Sequence, residues 1–186
     1  ADFRGATFTG DAELRGATFT GDADFRGAAF TGDADCNKAT FTRVADFTEA
    51  AFTGVAYFNG ATFTRDAHFN EAKFTWDAFP DATFNTRAAY FTEATFTGDA
   101  YFTGATFAAV AYFTEATFTG VAYFNGATFA VAPDFDRAEF AGSISPQIHH
   151  YLSDEQLNQN RASPGPEKPR PPAGDELSTS LPRARR

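Results

Sequence analysis

Ala1-Asp2-Phe3-Arg4-Gly5-Ala6-Thr7-Phe8-Thr9-Gly10-Asp11 is the stretch that decides the fold, because the chain repeats it with small changes over most of its length. All 24 Phe residues fall on one series of 26 positions running from Phe3 to Phe140, shared only with Leu14 and Cys36. The spacings alternate between five and six, so one repeat runs from Ala1 to Asp11 and the next begins at Ala12. Ala stands two residues before 24 of the 26 positions, Asp77 and Pro133 being the exceptions. A short fixed period sustained this far describes a solenoid, in which each unit buries its apolar residues against its neighbours.

The unit Ala-x-Phe-x-x, as in Ala1-Asp2-Phe3-Arg4-Gly5 and Ala94-Thr95-Phe96-Thr97-Gly98, resembles the pentapeptide-repeat family over residues 1–142. The resemblance implies an all-β fold, a right-handed four-sided parallel β-helix in which each pentapeptide makes one side. Every second unit departs from the family pattern by carrying a sixth residue, at Asp11, Asp22, Asp33, Val44, Val55, Asp66, Asp99, Val110 and Val121. Four sides of alternating length then make a 22-residue coil. A coil of a single repeat would be too flat to hold two opposed Phe rings.

Around Trp76-Asp77-Ala78-Phe79-Pro80 the pattern loses one residue, and an extra one within Asn85-Thr86-Arg87-Ala88 restores it, so Phe91 falls one 22-residue coil after Phe69. A slip in a ladder turns side chains to the wrong face. The expectation is therefore a slip compensated within one coil, with every column running on past it. The Phe lattice and the preceding Ala residues point inward, each buried Phe supplying roughly 1.5–3 kcal/mol. Outward sites take Thr, Asp, Tyr and Asn, with Gly at corners that need positive φ. Coils stacked at about 4.8 Å make a rod on the order of 30 Å long.

Residues 1–142 form the predicted solenoid. Beyond Gly142, Ser145-Pro146 reads as a helix start, and Ile144, Ile148, Tyr151 and Leu152 recur at helical spacing. Ser153-Asp154-Glu155-Gln156 reads as a capping box. Residues 143–160 are predicted to be a helical C-terminal cap or, alternatively, a homodimer contact. Residues 161–186 are polar and rich in Pro and Arg, a composition that predicts disorder. The chain has no Met and opens directly on a repeat, which reads as a fragment or processed product lacking an N-terminal cap.

The single cysteine, Cys36, sits on the Phe lattice and reads as a small buried hydrophobe, with no intrachain disulfide to form. No apolar run approaches the ~18 residues of a membrane span and no signal peptide is visible, so a cytoplasmic location is expected. His68, His149 and His150 have no metal-ligand spacing, and no nucleotide-binding or nucleophile motif is present. The reading is of a non-enzyme with no cofactor and no metal.

Three outward columns carry the functional signal when the chain is wound on a 22-residue coil. One runs Asp2, Asp24, Asp46, His68, Tyr90, Tyr112, Asp134; the opposite one runs Glu13, Asp35, Tyr57, the slipped coil, Tyr101, Tyr123. Tyr57, Tyr90, Tyr101, Tyr112 and Tyr123 are the candidate surface for an unidentified protein partner, although stacked Tyr also stabilises ladders. The third column is Thr9, Thr31, Thr53, Thr75, Thr97, Thr119. The leading reading is a scaffold or protein-interaction rod. The alternative is a DNA mimic that binds DNA gyrase, an activity the family resemblance implies. Between Ala1 and Gly142 the acidic side chains outnumber the basic ones by nineteen to nine, a net charge of −10. That is about half the charge per rise of duplex DNA, and direct nucleic-acid binding is not expected. A third reading is an ice-binding face of Thr-x-Thr pairs such as Thr7/Thr9, Thr95/Thr97 and Thr117/Thr119, interrupted by Ala29, Ala51 and Lys73.

Overall fold

A computed structural model describes residues 1–75 and 88–162. One coil shows how the repeat folds. Ala23–Asp24, Ala29–Phe30, Ala34–Asp35 and Thr40–Phe41 are four two-residue strands, one on each side of the coil. We call these sides faces I to IV in that order. Every strand pairs in parallel with its counterparts in the coils below and above, giving sheets of five, six, five and six strands on faces I, II, III and IV. Each partner stands one full coil along the chain: Ala23 opposes Ala45, Ala29 opposes Ala51, Ala34 opposes Ala56 and Thr40 opposes Thr62.

The alternation of five and six residues reflects two kinds of corner. At the first, between faces I and II and between III and IV, the chain makes a hydrogen-bonded β-turn, with the Ala28 amide donating to the Phe25 carbonyl at 3.0 Å. The third residue of that turn has positive φ, as at Gly27 (63°) and Gly60 (63°). Lys38, Glu49, Glu71, Glu93, Glu115 and Arg137 adopt the same conformation, at a cost of roughly 1–2 kcal/mol each. The second corner carries the sixth residue. There Asp33 Oδ1 accepts the Val55 amide at 2.9 Å and Asp99 Oδ1 accepts the Val121 amide at 2.8 Å. The inserted Asp thus satisfies a backbone donor in the coil above, which an exposed corner would otherwise leave to water.

Inside, the rings form four columns. Phe25 and Phe47 stack at 4.7 Å, and Phe47 and Phe69 at 5.0 Å, with planes within 3°. Rings of faces I and III interleave edge-to-face, as Phe58 does with Phe47 and Phe69 at 5.5 Å. These are the preferred geometries of aromatic pairs. Ala residues such as Ala45, Ala50, Ala67 and Ala72 are fully buried beside them, and so is Cys36.

The compensated slip is not what the structure contains. Ala56 pairs with Ala89 and Thr62 with Thr95, each partner lying half a coil further along the chain than in the earlier coils. Phe69 stacks on Phe102 at 5.1 Å, and Phe91 stacks on Phe58 at 5.2 Å. Face II ends at Phe74 and face III resumes at Ala89, where the equivalent corner one coil earlier runs only from Phe52 to Ala56. The chain between these two strands is therefore longer by one whole repeat, and the coils before and after it stack directly. The expectations for Phe79 and Phe84 lie outside the described residues.

Because one repeat is half a coil, the insertion exchanges faces for everything after it. Face I therefore carries Asp2, Asp24, Asp46, His68, Tyr101 and Tyr123 in sequence, and face III carries Glu13, Asp35, Tyr57, Tyr90, Tyr112 and Asp134. Both predicted mixed columns are corrected by this exchange. The predicted Thr column is also split. Thr75 is followed on face II by Ala108, whereas Thr97 and Thr119 stand on face IV above Thr64.

At the C-terminal end Ala122 bridges to Ile144, and a 3-10 helix, Pro146–Tyr151, lies across the last coil. Ile144 and Ile148 are buried beneath it. The Ser145 hydroxyl does not cap this helix; its Oγ accepts the Phe124 amide at 2.9 Å. An α-helix, Asp154–Ala162, follows. Ser153 and Gln156 form a reciprocal capping pair, the Ser153 amide donating to Gln156 Oε1 at 2.8 Å and the Gln156 amide to Ser153 Oγ at 3.3 Å. The Gln156 Nε2 then donates to the carbonyls of Phe135 and Ala138 at 2.8 and 2.9 Å. Helical structure thus runs past the predicted boundary at 160 to Ala162, and the predicted disordered tail beyond that residue lies outside the described residues.

Candidate functional site: two stacked tyrosine stripes

Faces I and III each change character along the rod, and the cause is visible in single residues. In the N-terminal coils an Asp precedes the inward Phe and its carboxylate accepts the amide two residues on. Asp24 Oδ1 takes the Arg26 amide at 3.2 Å and Asp46 Oδ1 takes the Thr48 amide at 3.0 Å. This is the local turn that short acidic side chains form with their own backbone. The same carboxylates pair with arginine: Arg4 Nη2 to Asp2 at 2.7 Å, Arg26 Nη2 to Asp24 at 2.6 Å, and Arg15 Nη2 to Asp35 at 2.8 Å. The Arg4 hydrogen bond holds the Asp2 carboxyl down at about 2, and Arg26 lowers Asp24 in the same way.

From Tyr57 on face III and His68 on face I, aromatic rings replace these carboxylates, until Asp134 returns one to face III. On face III Tyr57, Tyr90 and Tyr112 stack in one column at 5.3 and 5.2 Å, with planes 8° and 11° apart. On face I His68, Tyr101 and Tyr123 stack at 4.7 Å, 16° and 10° apart. All five candidate tyrosines are half-buried. Each ring covers its neighbours' faces and leaves an edge to solvent. The structure brings the five together as a run of three on one side of the rod and a pair on the other, not in the grouping the unshifted columns imply. Tyr101 also donates its hydroxyl to Asp99 Oδ2 at 3.3 Å.

Partial burial pushes the phenols of Tyr57, Tyr90 and Tyr101 above their ordinary value of 10.0, and Tyr101, with the carboxylates of Asp99 and Asp66 nearby, rises to about 12. A pKa raised on folding favours the folded state while the phenol stays neutral. That contribution is complete below about pH 10 and is lost as pH climbs towards 12. Absorbance titration is expected to show part of the six tyrosines ionising late, with stability falling over the same interval, and Tyr101→Phe is expected to reduce that fall. All six ionising together at their ordinary value would contradict the stacked geometry.

No group of three or more His, Cys, Asp or Glu side chains among the described residues is arranged to hold a metal ion. Cys36 is buried in the lattice, and desolvation pushes its thiol up to about 12, far from a reactive thiolate. No helix of the described residues is long and apolar enough to cross a membrane. An open groove of about 570 Å³ lies between the last coil and the C-terminal helices, bordered by Asp136, Arg137, Glu139, Tyr151 and Glu155.

The family model described as pentapeptide repeats (9 copies) matches residues 1–40, 37–83, 69–117 and 102–145. No curated protein and no solved structure matches the chain.

Proposed function

The chain belongs to the pentapeptide-repeat family, and on that premise we propose that it is a non-catalytic rod that binds a partner protein through its tyrosine stripes. The observation that carries this reading is the run of Tyr57, Tyr90 and Tyr112, three near-parallel rings on one rigid face. Tyr offers large amphipathic contact area and little rotamer entropy to lose, which is why it is enriched in interface cores. Stacking restricts these rings before any partner arrives, so still less entropy is lost on binding.

The acidic surface suits a DNA mimic less well. A mimic needs carboxylates that face outward uncompensated, whereas Asp2, Asp24 and Asp35 are each paired with an arginine and Asp33 and Asp99 are turned onto backbone amides. The aromatic half of the solenoid adds few further charges.

The full chain, immobilised, is expected to retain a partner from native lysate that Tyr90→Ser/Tyr112→Ser fails to retain while keeping its circular dichroism. DNA gyrase supercoiling is expected to be unchanged by micromolar protein. Retention by both forms would remove the tyrosine stripe from the reading. Salt-sensitive gyrase inhibition or protection, lost on neutralising Asp2, Asp24 and Asp46, would replace it with the DNA-mimic alternative.

A further inference from the structure

We propose that face IV is an ice-binding surface. Its outward residues form two unbroken rows of threonine over five coils. Thr18, Thr40, Thr62, Thr95 and Thr117 stand directly above one another in the strand register. Thr20, Thr42, Thr64, Thr97 and Thr119 form the second row, each just beyond the end of its two-residue strand. The chain's linear order conceals this array, because the half-coil shift in register between Thr75 and Ala89 exchanges faces. Face II, the other Thr-bearing side, shows the contrast: its rows are interrupted by Ala29, Ala51, Lys73 and Ala108.

The array is evenly spaced along the rod. Behind face IV, Phe19, Phe41, Phe63, Phe96, Phe118 and Phe140 stack at 4.8–4.9 Å with successive planes only 1–4° apart. The aromatic column therefore sets an even spacing from strand to strand. Threonines ride on this frame at the same repeat along the rod, and at about 6.6 Å across it, twice the rise per strand residue. β-branching restricts their χ1 rotamers, so each threonine has few orientations in which to present its methyl and hydroxyl groups.

A rigid two-dimensional array of alternating methyl and hydroxyl groups is complementary to a ligand with the same two repeats. The face of an ice crystal, an oxygen lattice periodic in two dimensions, is a ligand of that kind. Water held between the rows by hydroxyl hydrogen bonds and excluded from the methyls is positioned to join such a lattice. Among the described residues, none of the first-row hydroxyls is engaged by another protein group, whereas Thr42 in the second row donates to the Phe19 carbonyl at 3.0 Å. The rows themselves contain no charged residue. Arg43 and Arg65 stand at the adjoining corner, and Arg43 is turned to Asp22 at 3.1 Å. Glu139 ends the array at the last coil. This site is separate from the tyrosine stripes and does not depend on them.

The test is ice recrystallisation inhibition and thermal hysteresis with the purified full chain, beside Thr62→Lys/Thr95→Lys on face IV and Thr31→Lys/Thr53→Lys on face II. All three rods should keep the same circular dichroism, since none of these side chains enters the core. The wild-type chain is expected to arrest ice growth at micromolar concentration. The face IV variant is expected to need on the order of tenfold more protein, a loss of about 1.4 kcal/mol of contact; the face II variant is expected to match wild type. No effect of the wild-type chain on ice, or equal loss in both variants, overturns the proposal.

Discussion

Phe102→Ala will lower the stability of the rod by roughly 3–5 kcal/mol, the range for truncating a well-packed buried Phe. Phe102 is fully buried. It stacks on Phe69 at 5.1 Å and Phe124 at 4.9 Å, and meets Phe91 and Phe113 edge-to-face at 5.5 and 5.4 Å. A methyl group in its place leaves a cavity whose walls belong to three coils. Those walls are pinned by ladders on four sides and cannot collapse into it. Tyr101→Ala, one residue earlier, removes an outward ring and should cost about 1 kcal/mol, the value of a cross-strand pair. Urea denaturation of the two variants measures the difference, and equal losses would mean that the inward and outward faces are wrongly assigned.

Gly54→Ala is the second large effect expected, and Gly27→Ala is its control. Both are corner glycines in the repeat, Gly27 at a first-kind corner and Gly54 at a second-kind one. Gly27 has φ of 63° and open space around its missing Cβ. Ala there should cost about 1–2 kcal/mol, the left-handed conformation alone. Its counterparts Glu49, Glu71 and Glu93 tolerate that conformation. Gly54 has no such φ, but a Cβ on it would overlap the Gly32 carbonyl and come within 2.8 Å of the Asp33 amide. These are backbone atoms of the coil below, fixed by the ladders on either side. Gly54→Ala should therefore cost about 3 kcal/mol, the upper end for overpacking. A thermal melt in which Gly27→Ala is the more damaging change would show that coil spacing at this corner is looser than the ladder implies.

Much of the architecture was readable because its determinants are local. The spacing of Phe and Ala reports which residues turn inward, and a 22-residue coil follows from alternating five- and six-residue units. Ser153 and Gln156 make a capping pair within a single helical turn, so it too is legible in the chain. What escaped sequence reading was non-local. The acidic sixth residues read as a solvated surface, but Asp33 and Asp99 accept amides one full coil onward, a distance at which no local pattern connects donor to acceptor. The close approach at Gly54 arises only from the adjoining coil.

The amino-acid sequence by itself determined the solenoid, its period and its core, because each residue's inward or outward direction depends on neighbours within one repeat. Only the tertiary structure decided which residues share a face. Shifting the chain by half a coil leaves every Phe on the lattice and every Ala behind it, so burial is indifferent to the one-repeat insertion after Thr75. Strand pairing is not indifferent, since Ala56 on Ala89 and Ala67 on Ala100 move every later outward side chain to the opposite side. The three-tyrosine stripe of face III and the ten-threonine array of face IV both come into being through that shift.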